Sequence, residues 1–333
     1  MLDSRSPHET LEAELTDEKL RILDRITGCL VGGALGDALG APLENMDRAA
    51  ATATFEKQSW AAGPLKVTSN TQLTLFTAEG MIRASQRLRD RGHCSIPNVL
   101  EYAYTRWLHT QDSSSSIPTD RGWLVDCPEL HAIRGSCATL KAALQSGTKA
   151  QSMGNGAITR IAPVGLTNLD AAAEVAASVA GISHPHPEAQ QAAALFATIL
   201  QKMVRGDSTD TAIRSSDATL SKHYHEAACN KSENSEPTLT ARQALLCAVG
   251  SAAVANYPAP MNFWRGLRQA VCNGGASDAV GSLTGQMLGC ELGYSRLPQE
   301  LLSRLELHFE LRLMARDLWL EYYGDWSELY PPN

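Results

Sequence analysis

Gly28-Cys-Leu-Val-Gly-Gly-Ala-Leu-Gly-Asp-Ala-Leu-Gly-Ala-Pro-Leu-Glu44 decides how the rest of the chain is read. Gly28, Gly32, Gly36 and Gly40 stand four apart, which in a helix of 3.6 residues per turn lines them along one face. Each glycine costs a helix about 1 kcal/mol relative to alanine, and what it offers in return is close approach of another backbone. The segment therefore predicts a packed helix. Packing alone does not explain Asp37, set within the apolar face, or Glu44, just past Pro42. A buried carboxylate needs a cation, a metal or hydrogen bonds, so these two acids mark a candidate site.

Outward from this segment, apolar residues recur at i, i+3, i+4 and i+7 through most of the chain, and period-two alternation is almost absent. That pattern predicts an all-α fold. Long helices are expected over Thr71–Arg89, Pro97–Leu108, Asp170–Ala180, Pro187–Met203, Thr238–Val254, Pro260–Cys272 and Pro298–Tyr323, several with proline in the first turn. The polar breaks at Gln111–Pro118 and Asn230–Pro237 read as solvated loops within one domain. With no internal repeat, the expected architecture is a single compact bundle of about a dozen helices. Residues 1–26 read as an acidic extension and residues 27–333 as the helical domain. Met1–Lys19 carries six acids against two bases, and Ser6-Pro7-His8-Glu9 has the form of a capping box. Such an extension is either a frayed terminus or an interaction arm.

Composition excludes several classes of function. The 333 residues carry 29 basic and 36 acidic side chains, a net charge of −7, which argues against a protein that coats nucleic acid. The longest run free of charge and strong polarity, near Leu245–Asn256, is shorter than the ~20 apolar residues of a membrane span, and the N-terminus has no apolar core of a secretory signal. A cytoplasmic protein without a membrane partner is expected. Eight scattered cysteines without a C-x-x-C pair read as buried, reduced small hydrophobes. The pairs His184/His186 and His223/His225 have metal-ligand spacing but no nearby third and fourth ligand, and read as solvated. The aromatic, acidic tail Trp319–Pro332 is expected to pack on the bundle or on a partner.

Three further segments bear on chemistry. Val67-Thr-Ser-Asn-Thr-Gln-Leu-Thr-Leu-Phe-Thr-Ala-Glu-Gly80 runs short polar residues into an amphipathic helix, which by itself reads as an N-cap. Met153-Gly-Asn-Gly-Ala-Ile-Thr-Arg-Ile-Ala-Pro-Val-Gly165 sets close glycines before Arg160, a spacing able to bring backbone amides against a phosphate. Asn273-Gly-Gly-Ala-Ser-Asp-Ala-Val-Gly-Ser-Leu-Thr-Gly-Gln-Met-Leu-Gly289 is a Gly-Gly turn into a small-residue helix bearing one acid, Asp278.

In this order and spacing, with Trp123-Leu-Val-Asp-Cys-Pro-Glu-Leu-His-Ala-Ile-Arg-Gly135 and Ser183-His-Pro-His-Pro-Glu-Ala189 between them, these segments resemble the ADP-ribosylglycohydrolase family over roughly Ile26–Tyr294. The resemblance implies an all-α fold and two Mg²⁺ ions held between a Thr-Asp-Asp-Thr and an Asp-x-Asp-Thr segment, serving hydrolysis of an N- or O-glycosidic bond. Here the first segment reads Thr68-Ser69-Asn70-Thr71 and the second Ala276-Ser277-Asp278-Ala279. Of the implied ligands Thr68 and Asp278 remain, while Ser69, Asn70, Ala276 and Ala279 stand at the other positions. Mg²⁺ favours near-octahedral oxygen ligation and sheds water reluctantly, so a pair of such ions beside one carboxylate leaves their repulsion largely uncompensated. No cofactor is expected, or at most one weakly held Mg²⁺ near Asp278, Thr68 and Glu44. Glu44 and Asp278 are the residual candidate catalytic acids. The implied substrate cradle is better kept: Gly154, Asn155, Gly156, Arg160, His184, Gly274 and Gly275 all match, although Thr159 replaces a common methionine.

The resemblance also covers immunity proteins that neutralise an ADP-ribosyltransferase toxin by covering its active site, a mechanism that needs no magnesium. The expected function is accordingly that of a binding protein, with such a toxin as partner, ADP-ribose as a further ligand and the acidic extension as the occluding arm. Two alternatives stand beside it: an active hydrolase of ADP-ribosylated protein or nucleic acid that uses Asp37, Glu44 and Asp278, and a sensor of ADP-ribose or another nucleotide that uses the Gly154–Arg160 loop.

Overall fold

The computed structural model describes residues 17–58, 60, 62–115, 122–229 and 240–324. Among these residues there are fifteen α-helices and no sheet. In chain order they are α1 (Asp17–Gly40), α2 (Arg48–Lys57), α3 (Ser69–Arg91), α4 (Ile96–Gln111), α5 (Ala138–Ser146), α6 (Ala162–Gly165), α7 (Ala172–Ala180), α8 (Pro187–Val204), α9 (Thr209–Arg214), α10 (Ala218–Ala228), α11 (Ala241–Asn256), α12 (Phe263–Val271), α13 (Ser277–Leu292), α14 (Gln299–Leu302) and α15 (His308–Tyr323). The all-α expectation holds.

The centre of the bundle is the antiparallel pair α1 and α13. Gly28 faces Gly289, Gly32 faces Gly285, Gly36 faces Gly281, and Gly40 faces Ser277. A methyl group on Gly36 would sit 1.9 Å from the carbonyl oxygen of Gly281, and one on Gly281 would sit 2.3 Å from that of Gly36. Both backbones therefore lie where side chains normally separate helices. The glycine stripe is matched on the partner helix every four residues, and α1 is buried without interruption from Ile26 to Gly40. The segment Asp17–Leu43 holds an 18-residue window apolar and long enough to cross a membrane by composition, more so than the 245–256 run, but 89% of that window is buried inside this protein. Burial on all sides by neighbouring helices is the pattern of a core helix.

The other helices begin where capping chemistry starts them. Thr68 caps α3, His186 caps α8 ahead of Pro187, and Thr240 with Gln243 forms a capping box on α11. Asn262 accepts from the Arg265 amide and starts α12 at Phe263, so the helix expected from Pro260 begins three residues later. The short helices α2, α9 and α10, absent from the expected set, are capped by Asp47, Ser208 and Asp217, signals present in the sequence. The single helix expected over Pro298–Tyr323 is two helices. Leu65 donates to the Arg304 carbonyl (3.0 Å) and accepts from the Glu306 amide (3.0 Å), which draws the backbone out of helical pairing, and Leu307 turns with φ 60° before α15 starts.

Ile26 lies within continuous α1, whose first turn contains Asp17, Glu18 and Lys19; the capping box and the rest of the acidic extension lie outside the described residues. The tail is described to Gly324 and packs on the bundle: Trp319 is buried, Tyr322 donates to the Met81 carbonyl (3.0 Å), and Glu321 pairs with Arg89 (2.9 Å). All eight cysteines are free, and five are buried as expected; Cys94 and Cys137 are half-buried, and Cys229 is exposed. Of the paired histidines, His225 is exposed and His223 half-buried. His184 departs from the solvated reading. It is buried at 4% exposure, with Gly154 and Gly156 of the 154–160 loop against its ring.

Candidate functional site

The C-terminal end of α1 and the N-termini of α3 and α13 meet at one point, and the meeting is organised by Asp37. This carboxylate is fully buried. Its Oδ2 accepts from the amides of Thr68 (2.8 Å) and Thr71 (3.3 Å) and from the Thr71 hydroxyl (2.6 Å). Its Oδ1 accepts from the Thr68 hydroxyl (2.6 Å) and from Asn70 Nδ2 (3.3 Å). The hydrogen bonds that a buried carboxylate requires are thus supplied by the first turn of α3, and Asp37 ties α1 to α3. Burial pushes its pKa up, while the donors from Thr68, Thr71 and Asn70 pull the other way.

The same Asn70 amide group also donates to Asp278 Oδ2 (3.1 Å), so it bridges two carboxylates. Asp278 Oδ1 accepts from the Ala279 amide (2.7 Å). Burial, followed by repulsion from Asp37 and Glu44, pushes the Asp278 carboxyl up to about 7. Among the described residues no group of three or more His, Cys, Asp or Glu side chains converges as a metal-binding set.

Beside this junction lies a cavity of about 210 Å³. Its wall brings together Glu44, Ser69, Asn70, Gly154, Asn155, Gly156, Arg160, His184, Ala276, Asp278 and Ala279, residues that span the sequence from α1 to α13. Thr68 stands behind the wall, its hydroxyl engaged with Asp37 and with the Asn70 amide (3.2 Å). Gly274 and Gly275 also stand off the wall, in a turn with φ values of 91° and 74° that glycine adopts without strain. Gly275 accepts from the Asn45 amide (2.8 Å) and donates to the Met46 carbonyl (2.9 Å), which fixes the segment after Glu44 at the rim.

Arg160 is 1% exposed and is held by hydrogen bonds to neutral groups. It donates from Nη1 to the Gly156 carbonyl and from Nη2 to Ser183 Oγ (2.7 Å), and its guanidinium lies 5.0 Å over the Tyr104 ring. Among the described residues its Nε meets no hydrogen-bond acceptor. The neighbouring His184 contacts Ser183 Oγ through Nδ1 (2.8 Å), and burial together with Arg160 pulls its pKa down to about 3, so the ring is neutral.

The fourth wall was not anticipated. Residues 134–140 strap across the start of α3: the Ser69 amide donates to the Arg134 carbonyl (3.0 Å), Gln72 Nε2 donates to the Ala132 carbonyl (2.9 Å), and Arg134 pairs with Glu306. This strap puts Gly135, Ser136, Cys137, Thr139 and Leu140 on the cavity. The Cys137 thiol donates to Ser69 Oγ (3.0 Å), and burial pushes its pKa up, so it is a thiol and not a thiolate. The signal for the strap lay in the Trp123–Gly135 segment, which carries it to this position.

The family model described as ADP-ribosylglycohydrolase matches residues 18–328. An ADP-ribosylarginine hydrolase, Tri1, of Serratia proteamaculans is 24% identical over 314 residues, covering 89% of this chain and 79% of the relative. An ADP-ribosyl-[dinitrogen reductase] glycohydrolase of Rhodospirillum rubrum is 23% identical over 297 residues, covering 86% of this chain and 92% of the relative. Among solved structures, an ADP-ribosylglycohydrolase-related protein complex superposes with a TM-score of 0.66 at 22% identity, over 91% of this chain and 99% of that one.

Proposed function

As this chain belongs to the ADP-ribosylglycohydrolase family, we propose that it works by binding and not by metal-dependent hydrolysis, as a cytoplasmic immunity protein that occludes an ADP-ribosyltransferase toxin. The observation that carries the first half is the Asn70 amide seated between Asp37 and Asp278. A nitrogen with two N–H groups satisfies two carboxylates from the place a cation would occupy, and its positive edge repels one. The remaining donors do not fit two divalent ions. Asp37 already accepts five hydrogen bonds, the Thr68 hydroxyl is engaged, and Ala276 and Ala279 offer no side-chain oxygen. Asp278 with Glu44 at the rim makes at most a weak site for a single Mg²⁺, and no step is assigned to it.

What supports a surviving binding site is the cavity itself, with Arg160, His184 and the Gly154–Gly156 backbone on its wall. ADP-ribose is the ligand proposed for it, and a sensor of that nucleotide is the same site put to another use. The toxin half rests on the resemblance and on the acidity of Met1–Lys19, which suits a cleft built to hold nucleotide phosphates. The relatives named as hydrolases support the competing reading, in which Asp278 and Glu44 still serve as acids.

Calorimetric titration of Mg²⁺ into metal-stripped protein, with and without ADP-ribose, separates these readings. The expected result is ADP-ribose binding that does not depend on Mg²⁺, no two-site Mg²⁺ isotherm, and no release of ADP-ribose from modified arginine. Two-site metal binding, or Mg²⁺-dependent release, overturns the proposal. Removal of Met1–Lys19 is expected to abolish toxin binding while the helical domain stays folded; unchanged affinity removes the arm from the mechanism.

A further inference from the structure

His184 reaches the cavity through the edge that carries Nε2, which faces the Gly154–Gly156 loop: a methyl group on Gly154 would lie 3.3 Å from Nε2, and one on Gly156 would lie 3.5 Å from Cε1. Whether that nitrogen donates or accepts decides what the cavity can hold, and the answer lies on the far side of the ring. A guanidinium only donates, so Arg160 Nη2 at 2.7 Å occupies a lone pair of Ser183 Oγ. Ser183 is fully buried, and among the described residues its hydroxyl meets only Arg160 and His184 Nδ1 (2.8 Å). The hydroxyl proton therefore has one acceptor within reach, Nδ1. Were Nδ1 protonated instead, Ser183 Oγ would accept twice and its own proton would be buried without a partner, an arrangement that folded proteins avoid.

We infer that the Arg160–Ser183–His184 chain fixes the imidazole as the Nε2–H tautomer, so that His184 offers the cavity a neutral donor and selects a phosphate oxygen, with Ser183 as the positioning residue. Arg160 adds to this selection, since among the described residues it pairs with no carboxylate and its charge is left to the cavity. The donor is pH-independent over the physiological range, because burial and Arg160 keep the ring neutral. An oxygen that only accepts is favoured next to it, and a donor such as an amine or an amide N–H is rejected. The ligand class rests on the binding reading proposed above, whereas the tautomer stands on the geometry alone.

Long-range ¹H–¹⁵N spectra of the full-length protein labelled at histidine test the tautomer without any ligand, with the His184 signals assigned by loss in His184→Gln. The expected signature is a protonated Nε2 and an unprotonated Nδ1, unchanged from pH 5 to 8, kept in Ser183→Thr and replaced by averaged shifts in Ser183→Ala. A protonated Nδ1 in the wild-type chain overturns the inference. In parallel, ADP-ribose affinity is expected to fall about tenfold in Ser183→Ala, the worth of one misdirected hydrogen bond to a charged oxygen, and to recover in Ser183→Thr, while adenosine, which lacks phosphate, is unaffected. An equal loss for both ligands overturns the phosphate assignment. A wild-type chain that shows the Nε2–H signature and binds no ADP-ribose refutes the binding reading and leaves the tautomer intact.

Discussion

Replacing Asn70 by aspartate tests the bridge on which the metal argument depends. In the native chain one amide group donates to Asp37 Oδ1 at 3.3 Å and to Asp278 Oδ2 at 3.1 Å. Asn70→Asp keeps the shape and turns both contacts repulsive, with carboxylate centres about 4 Å apart. At an effective dielectric constant of 20, each such pair costs about 4 kcal/mol. The fold evades part of this by protonating one acid, and Asp278, already pushed up to about 7, is the group to take the proton. With two hydrogen bonds of roughly 1 kcal/mol also lost, the net destabilisation at pH 8 is about 3–5 kcal/mol, or a fall in melting temperature on the order of 5–10 °C. The loss should shrink at pH 5, where the proton is free to bind, and should be partly reversed by 10 mM Mg²⁺, since a site of roughly millimolar affinity returns about 1.4 kcal/mol. Asn70→Ala, which removes the hydrogen bonds without adding charge, should lose only about 1–2 kcal/mol at either pH. Differential scanning fluorimetry at pH 5 and 8, with and without Mg²⁺, reads all of these. An Asn70→Asp chain that melts like the wild type at pH 8 and ignores Mg²⁺ would refute the bridge.

Three other outcomes follow from the same geometry. Asp278 is protonated in the fold up to about 7 but ionised above about 4 when unfolded, so the native state holds an extra proton between those values and stability falls as pH rises through them; Asp278→Asn removes this dependence, and denaturant titrations should show its stability relative to wild type improving by about 2–3 kcal/mol from pH 5 to pH 8, whereas parallel pH curves would show that Asp278 does not titrate there. Gly36→Ala drives a methyl group into the Gly281 carbonyl and should cost about 3 kcal/mol or more, while Gly33→Ala meets only the flexible side chain of Gln286 and should cost clearly less; comparable melting temperatures for the two would disprove the backbone contact. Glu79→Gln takes the carboxylate from Arg83 (3.2 Å) and Arg106 (3.1 Å), both guanidinium groups being fully buried, and should destabilise by about 3–5 kcal/mol, with soluble yield and melting temperature as the measurements.

Much of the helical architecture was legible because helix periodicity and capping are local. The start of α8 is visible as Pro187, which acts on its own first turn, whereas α11, expected from Thr238, starts at Ala241 behind the Thr240–Gln243 capping box. The break before α15 was not legible, because it is made by Leu65, some 240 positions away, bonding to the 304–306 backbone. The burial of His184 was equally hidden. H-x-H spacing says nothing about which loop will cover the ring, and here the cover comes from Gly154 and Gly156.

The sequence by itself determined that the chain is helical and that α1 must pack backbone to backbone, while the family resemblance implied that the segments around Thr68, Gly154, Ser183 and Asp278 belong to one arrangement. Those are properties of residue type and spacing, which survive without coordinates. Only the tertiary structure decided what each polar group does there. It made Asp37 a hydrogen-bonded tie between helices, turned Asn70 into a bridge between two acids, moved Gly274 and Gly275 off the cavity wall, and brought Cys137 onto it. The reason is physical: a carboxylate or an amide has several possible partners along the chain, and which of them it meets in a dry interior is settled by packing between helices far apart in sequence.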